Sequence, residues 1–337
     1  MTVRRPLSCT RTAHHAPRLL GAAAVAVLLS GISIWPAEAK SADQVVATIK
    51  PVHSLVSAVM AGVGEPHLIM RGASSPHTYN LRPSDAARLQ NAQVVFLIGE
   101  GVETALMRPI AALTGKARVI EFAEVRGIVR RPFREGGAFE PHEHEHEDEH
   151  GHDHGNGHED EEHGTFDMHI WLDPVNAAVM TRVIADTLSE VDPANAPAYN
   201  ANAETLLERL DTLTEETAAA TAAIRGRPYI VFHDAYQYFE KRFGLTAVGS
   251  GVVSSERSLG IRRINELREK IHELDAACVF AEPRFDQGLV NVIIENTAAR
   301  AGTVDPLGTT VEQGPELYFA LIRNMADSFN SCLAQGG

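Results

Sequence analysis

The chain has 337 residues, 44% of them hydrophobic, which is enough to bury a sizeable core and predicts two lobes. Acidic residues outnumber basic ones by 44 to 30, so the formal net charge is −14. Such an acidic balance argues against nucleic acid or an anionic membrane surface as the partner of this protein.

Residues 1–39 have the composition of a secretory signal peptide. Four arginines precede an apolar run over residues 19–29, which extends to Ile34, and Ala37-Glu38-Ala39 is a small-residue cleavage site. No cysteine follows the apolar run in a lipoprotein arrangement. We therefore expect cleavage to release a soluble protein.

Cysteine usage agrees with an oxidising compartment. Cys9 would leave with the signal peptide, and Cys278 and Cys332 would remain. An even pair in such a compartment predicts a disulfide between them, with two buried free thiols as the alternative.

Apolar runs typical of buried strands alternate with helical patterns in the first half of the mature chain. This alternation predicts a mostly parallel sheet with helices on its faces, and therefore an α/β fold. The strands are expected at residues 45–49, 67–70, 94–98 and 118–120, and the helices near residues 55–61 and 83–89.

Residues 140–163 combine eight histidines with eleven acidic residues and contain no apolar side chain. No core can be built from such a segment, so we predict that it is solvated and disordered. Neutral imidazole binds zinc, copper and nickel, which favours an auxiliary metal-binding loop over a plain acidic run. Its histidines are His142, His144, His146, His150, His152, His154, His158 and His163.

Residues 197–224 have a purely helical pattern, with a continuous seam of side chains at alternating spacings of four and three. We predict one helix of about seven turns that joins two lobes as a stiff rod, with a surface helix of one lobe as the alternative. The lobes would then span residues 40–196 and 225–337. The seam consists of Tyr199, Ala203, Leu206, Leu210, Leu213, Thr217, Ala220 and Ile224.

The second half of the chain repeats the alternation of strands and helices, so a second α/β lobe is expected. Its strands are predicted at residues 229–232, 246–248, 277–280 and 303–304, and its helices at residues 235–243, 261–274, 289–301 and 315–333.

Three histidines outside the acidic segment stand where a ligand could bind. His77 lies in a turn before a helix, His169 follows the histidine-rich segment, and His233 directly follows a predicted strand. Asp305 ends a further strand, and ligands of open α/β sheets bind beyond the carboxyl ends of strands. Three imidazoles with a carboxylate or a water would satisfy tetrahedral zinc, although the sequence does not show that they meet.

Several motifs accompany these residues between residues 44 and 335. They are Ser75-Pro76-His77-Thr78-Tyr79, Leu81-Arg82-Pro83-Ser84-Asp85, Leu89-Gln90-Asn91-Ala92, His169-Ile170-Trp171-Leu172-Asp173-Pro174, Phe232-His233-Asp234-Ala235-Tyr236, Phe280-Ala281-Glu282-Pro283 and Asp305-Pro306-Leu307-Gly308. Together they resemble the periplasmic zinc-binding receptors of ABC importers, the ZnuA type.

The resemblance implies two α/β lobes bridged by a long helix, with zinc in the cleft and a histidine- and acid-rich loop before the second ligand. It implies that His77, His169 and His233 ligate zinc, with Asp305 or a water in the fourth position. Manganese-binding relatives carry a carboxylate where this chain has His233, and imidazole favours zinc over the harder manganese.

The expected function is therefore capture of Zn²⁺ in the periplasm and delivery to a membrane permease, by a monomer that is not an enzyme. A manganese receptor on the same scaffold is one alternative. A secreted zinc hydrolase is a weaker alternative, because no recognisable motif places a general base beside the ligands.

Overall fold

The computed structural model describes residues 44–72, 79–134, 166–252 and 260–335, together with Pro76 and Phe139. The predicted signal peptide, His77 and the histidine-rich segment 140–163 lie outside the described residues. Among the helices that are described, none has the length and apolar composition that crossing a membrane requires.

The first half of the chain folds around a parallel sheet with the strand order β2-β1-β3-β4. Its central strands are buried throughout, which explains their unbroken apolar sequences, since a parallel sheet is covered on both faces. The strands are β1 (Val45–Ala47), β2 (His67–Leu68), β3 (Val94–Leu97) and β4 (Arg118–Glu121).

The second half contains a sheet of the same design, with the parallel strand order β6-β5-β7-β8. In both sheets the strand that comes first in the sequence lies between the second and the third. The prediction of two α/β lobes with parallel sheets is confirmed. The strands are β5 (Tyr229–His233), β6 (Ala247–Val252), β7 (Cys278–Ala281) and β8 (Arg300–Thr303).

Most helices lie close to their predicted positions. Two longer helices, α3 and α4, were not predicted from the sequence. The start of α4 nevertheless has a recognisable signal in Asp173 and Pro174. Asp173 accepts a hydrogen bond from the Val175 amide, and proline suits the first helical position. The helices are α1 (Lys50–Val59), α2 (Pro83–Gln90), α3 (Glu100–Leu113), α4 (Pro174–Val191), α5 (Ala196–Ala220), α6 (Gln237–Phe243), α7 (Ile261–Glu273), α8 (Gln287–Ile294) and α9 (Leu317–Leu333).

The long helix exists as α5, and a short 3₁₀ helix (Ala222–Ile224) follows it. Its predicted seam is buried except at Ala220, which is exposed, while Thr221 is buried instead. The helix does not stand alone as a rod, because it packs against α4, α1 and α9. The two lobes therefore share a layer of helices.

One predicted helix, over residues 289–301, is too long. In the structure α8 ends at Ile294, and Asn296 adopts a left-handed conformation with φ 63°. Asparagine tolerates this conformation better than most residues and so ends the helix. The chain then enters β8, which pairs with β7 from Arg300 onward.

The buried apolar side chains form two clusters, which we call the shared core and the outer core. The shared core contains residues of both lobes, including the first sheet, α5 and α9. The outer core lies on one face of the second sheet under α7 and α8. It consists of Ile230, Phe232, Leu267, Ile271, Ala276, Val279, Ala281, Val290, Ile293 and Ala299.

Successive side chains of a strand face opposite sides of its sheet, so the second sheet contributes residues to both cores. Ile230 and Phe232 of β5 enter the outer core, whereas Tyr229 and Val231 enter the shared core. On the shared-core side Cys278 of β7 forms a disulfide with Cys332 of α9, which confirms the predicted pairing.

Candidate metal centre

His169 is placed by a short 3₁₀ helix (Ile170–Leu172) that immediately follows it. Within this helix Trp171 is buried, and its indole nitrogen donates a hydrogen bond to the Pro306 carbonyl, 2.8 Å away, in the second lobe. The His169 side chain retains 12% exposure. The imidazole is thus fixed in position by its neighbours but remains reachable from solvent.

His233 is the last residue of β5, at the carboxyl end of a central strand, as the sequence predicts within one residue. Its ring centroid lies 5.0 Å from that of His169, at an interplanar angle of 73°. The structure therefore brings these two candidate ligands together at the boundary between the lobes.

Each of the two imidazoles contacts a buried carboxylate through Nδ1. The Asp167 Oδ1 atom lies 2.7 Å from His169 Nδ1 and also accepts the His169 backbone N–H at 2.9 Å. The Glu282 Oε1 atom lies 2.5 Å from His233 Nδ1. A carboxylate on one ring nitrogen fixes the tautomer and orients the other nitrogen, so both rings would ligate a metal through Nε2.

Glu282 is buried, and its charge is balanced locally. Burial by itself would raise the pKa of this carboxyl group, but His233 and Arg284 outweigh it and lower the pKa to about 2. The Arg284 guanidinium contacts the other carboxylate oxygen at 2.8 Å. Glu282 is therefore ionised at neutral pH and can accept the Nδ1 proton of His233.

The roles of Asp167 and Glu282 were not predicted from the sequence, and the role of Glu282 becomes visible only in the strand register. In the parallel register Tyr229 pairs with Cys278 and Val231 with Phe280, a constant offset of 49 residues. The same offset pairs His233 with Glu282, and their hydrogen bond has that separation. Asp167 lies two residues before His169, so its contact is local.

A part-buried arginine, Arg134, connects the segment that precedes residues 140–163 to Asp234, the residue after His233. Arg134 forms ion pairs with Asp234 and, at 2.5 Å, with Glu240, and both carboxylates are almost fully buried. The Tyr238 hydroxyl donates to the Asp167 carbonyl at 2.6 Å. The chain segments on which both histidines lie are therefore fastened to α6.

Asp305 follows β8 and directs its carboxylate into its own turn. Oδ1 accepts the Leu307 N–H at 3.1 Å, while Oδ2 accepts the N–H and the hydroxyl of Thr309 at 2.6 and 2.7 Å. In the part of the chain that the structure describes, no three His, Cys, Asp or Glu side chains form a metal-holding group. The structure thus joins His169 to His233, without Asp305 as a third member.

Comparison with known proteins identifies similar sequences over nearly the whole chain. The family described as "Zinc-uptake complex component A periplasmic" matches residues 45–332. The "High-affinity zinc uptake system protein ZnuA" of Brucella suis biovar 1 (strain 1330) is 48% identical over 308 residues, covering 87% of this chain and 92% of the relative. The protein of that name from Paracoccus denitrificans (strain Pd 1222) is 35% identical over 312 residues, covering 90% and 95%.

Solved structures with the same fold include a crystal structure of ZnuA, with a TM-score of 0.66 and 23% identity, covering 85% of this chain and 98% of that one. A zinc-bound deletion mutant of ZnuA has a TM-score of 0.68 and 21% identity, covering 86% and 97%. At these identities the similarity concerns the fold.

Proposed function

This chain belongs to the ZnuA family of periplasmic zinc-uptake complex components, and we propose that it captures Zn²⁺ through His77, His169 and His233 for delivery to the membrane permease of an ABC importer. Family membership makes it a solute-binding transport component and not an enzyme. The alternative of a secreted zinc hydrolase is therefore set aside.

The observation that carries the proposal is the pair formed by His169 and His233. Their rings approach to 5.0 Å between centroids, and each has a buried carboxylate on Nδ1. Zinc sites in proteins are built in this way, because the carboxylate raises the basicity of the imidazole and holds its direction. A structural histidine pair would need no such matched carboxylates.

The ligand chemistry favours zinc over manganese. Imidazole nitrogen is a borderline-soft donor that suits zinc, whereas manganese prefers carboxylate and water oxygens. Two imidazoles already supply half of a tetrahedral shell, and His77 would supply the third. We assign the fourth position to Asp305 or a water.

The eight histidines of residues 140–163 fit a weaker, auxiliary role in this proposal. The segment would bind additional metal ions, since neutral imidazole is a ligand of zinc, copper and nickel. We also propose that residues 1–39 are removed on export and that the receptor acts as a monomer. The lobes proposed from the sequence are residues 40–196 and 225–337, joined by the helical segment 197–224.

Calorimetry with a competing chelator tests the ligand assignment. His77→Ala, His169→Ala and His233→Ala should each weaken the tight site by more than about 100-fold, since losing a ligand exceeds the 10- to 100-fold cost of losing its hydrogen-bond partner. His272→Ala is the matched control, because this exposed histidine on α7 should leave the affinity unchanged.

Deleting residues 140–163 should remove weaker metal equivalents and spare the tight one. A tight site that disappears with this deletion but survives the triple alanine change would contradict the assignment. Competitive titration with Mn²⁺ and Zn²⁺ tests the remaining alternative: protein sites generally bind Zn²⁺ more tightly than Mn²⁺, so retention of Mn²⁺ against an equal concentration of Zn²⁺ would indicate a manganese receptor.

A further inference from the structure

Lys50 makes an unusual contact across the boundary between the lobes. It is the first residue of α1 in the first lobe, and it is 7% exposed. Its Nζ donates hydrogen bonds to three backbone carbonyls of the second lobe: Gly308 at 2.8 Å, Thr309 at 3.1 Å and Val311 at 2.6 Å. A side chain of one lobe is thus enclosed by a turn of the other.

The number of acceptors around Lys50 Nζ matches a charged ammonium group. An ammonium group has three N–H donors, whereas a neutral amine has two. Three carbonyl oxygens within hydrogen-bonding distance match the three donors of the charged form and act against burial, which lowers the pKa of Lys50. Removing this cation would take the Lys50 donor away from the Thr309 and Val311 carbonyls and leave the Gly308 carbonyl with the Val311 N–H at 3.1 Å, which is costly in a part-buried turn.

The turn that encloses Lys50 is the one that Asp305 organises. The Asp305 carboxylate accepts the N–H groups of Leu307 and Thr309 and the Thr309 hydroxyl. The groups that donate to Asp305 and the carbonyls that accept from Lys50 therefore belong to the same stretch, residues 307–311. Gly308 has φ 64°, a left-handed conformation that favours glycine, at the point where its carbonyl meets Lys50.

The same stretch is connected to the His169 segment. The Trp171 indole, two residues after His169, donates to the Pro306 carbonyl at 2.8 Å, and the Tyr318 hydroxyl donates to the Trp171 carbonyl at 2.7 Å. Ser54, one turn after Lys50 on α1, accepts the Tyr318 N–H at 3.0 Å. The position of Asp305 relative to His169 is therefore set by contacts that cross between the lobes.

We propose that Lys50 is a positioning residue of the metal centre: by holding the 307–311 turn from the opposite lobe, it fixes where the Asp305 carboxylate stands relative to His169 and His233. This inference rests on the proposed zinc site. It takes Asp305 as the fourth ligand, one of the two options in the proposed function, and gives Lys50 a role beyond joining the lobes.

A double-mutant cycle separates this role from a merely structural one. Lys50→Met removes the ammonium and keeps a similar side-chain length, while Asp305→Asn removes the carboxylate charge in a nearly isosteric way. We expect Lys50→Met to weaken zinc affinity 10- to 100-fold in the otherwise unchanged protein, as for the loss of a supporting contact. In the Asp305→Asn background the same substitution should change affinity by less than about threefold, because the two residues act together.

Cobalt provides a second measurement that a loss of general stability would not reproduce. Because visible absorption of bound Co²⁺ reports the geometry of its ligands, the Lys50→Met spectrum should differ from that of the unchanged protein and resemble that of Asp305→Asn. Lys116→Met is the matched control, since Lys116 is exposed in the turn after α3 and loses the same charge. Its affinity and spectrum should be unaltered.

Three results would overturn the proposal: an unchanged zinc affinity in Lys50→Met, an equal loss in both backgrounds, or no effect of Asp305→Asn. Should Lys50→Met fail to fold, Thr309→Val removes the hydroxyl bond to Asp305 and should weaken zinc about tenfold, again only when Asp305 is present. Absence of tight zinc binding in the unchanged protein would refute the proposed function instead.

Discussion

The shared core and the outer core cover opposite faces of the same sheet, but they differ in what they support. The shared core takes Tyr229 and Val231 from β5 and reaches across α5 and α9 to the first sheet. The outer core takes Ile230 and Phe232 and contains only residues of the second lobe. One core therefore joins the lobes, and the other stabilises a single layer of helices.

The metal centre belongs to the shared-core side. His233 continues the alternation of Tyr229 and Val231, and Glu282 continues that of Cys278 and Phe280 on β7. Metal affinity should therefore depend on packing in the shared core and be largely independent of the outer core. Four experiments test this difference, beginning with the largest expected effect.

Replacing both disulfide cysteines, Cys278→Ser with Cys332→Ser, should cost about 4 kcal/mol in the free energy of unfolding. The bond closes a loop with a sequence separation of 54 and fastens β7 to α9 within the shared core. Denaturant unfolding measures the change. A reductant should destabilise the unchanged protein to a similar extent and leave the double variant unaffected, and equal sensitivity of both would contradict the prediction.

A matched pair of leucines compares the two cores directly. Leu213 on α5 and Leu267 on α7 are 0% and 1% exposed, in the shared and the outer core respectively. Leu213→Ala and Leu267→Ala should each cost about 3 kcal/mol in unfolding free energy, because each leaves a cavity. Zinc affinity should fall several-fold in Leu213→Ala and stay within about twofold in Leu267→Ala.

Hydrogen exchange on the same two variants locates the damage. Leu267→Ala should raise exchange in α7 and α8 and leave α5 protected, whereas Leu213→Ala should raise it in both lobes. If Leu267→Ala weakened zinc as much as Leu213→Ala, the two cores would not be independent.

The fold was predictable because its signals are local. Buried parallel strands such as β3 are continuous apolar runs, and the α5 seam repeats at helical spacing. The end of α8 was missed because no glycine or proline marks it: Glu295, Asn296 and Thr297 follow Ile294, and the interruption depends on the backbone conformation of Asn296. Helix α4 went unrecognised despite the start signal at Asp173 and Pro174.

The site was less predictable because its supporting contacts are distant in sequence. Motif and position correctly located His233 at the end of β5. Pairing His233 with Glu282 required the strand register, and the contact of Lys50 with Gly308 joins residues 258 positions apart. Sequence periodicity within one element carries no information on such contacts.

The third test concerns the carboxylates of Asp167 and Glu282, which contact Nδ1 of His169 and His233. Glu282→Gln should weaken zinc 10- to 100-fold, since an amide oxygen is a poorer acceptor for the His233 Nδ1 proton and the charge opposite Arg284 is lost. Asp167→Asn should act similarly on His169. Glu295→Gln, an exposed residue after α8, is the control. Equal affinities in all three variants would show that the carboxylates do not support ligation.

The smallest expected effect is a pH dependence of the free energy of unfolding that arises from a buried carboxyl group in the first lobe. Glu103 is fully buried in α3, where its own backbone departs from helical geometry. Its carboxylate accepts hydrogen bonds from the Thr48 hydroxyl and from the N–H groups of Ile98 and Gly99, at 2.6, 3.1 and 3.0 Å. Burial outweighs these bonds and raises the pKa of Glu103 to about 7.

Because the pKa of Glu103 is higher in the folded protein than in the unfolded chain, the folded state binds more protons between about pH 4.5 and pH 7. Its contribution to stability is therefore complete below about pH 4.5 and is lost as the pH rises through about 7. Glu103→Gln cannot titrate, so the stability of the unchanged protein relative to this variant should fall by roughly 2 kcal/mol from pH 5 to pH 7. Denaturant unfolding at several pH values measures this slope, which is insensitive to any constant cost of the amide. Loss of protection on raising the pH should appear in α3 and the first sheet and not in α7 and α8. Parallel pH profiles for the two proteins would show that Glu103 does not titrate in this range.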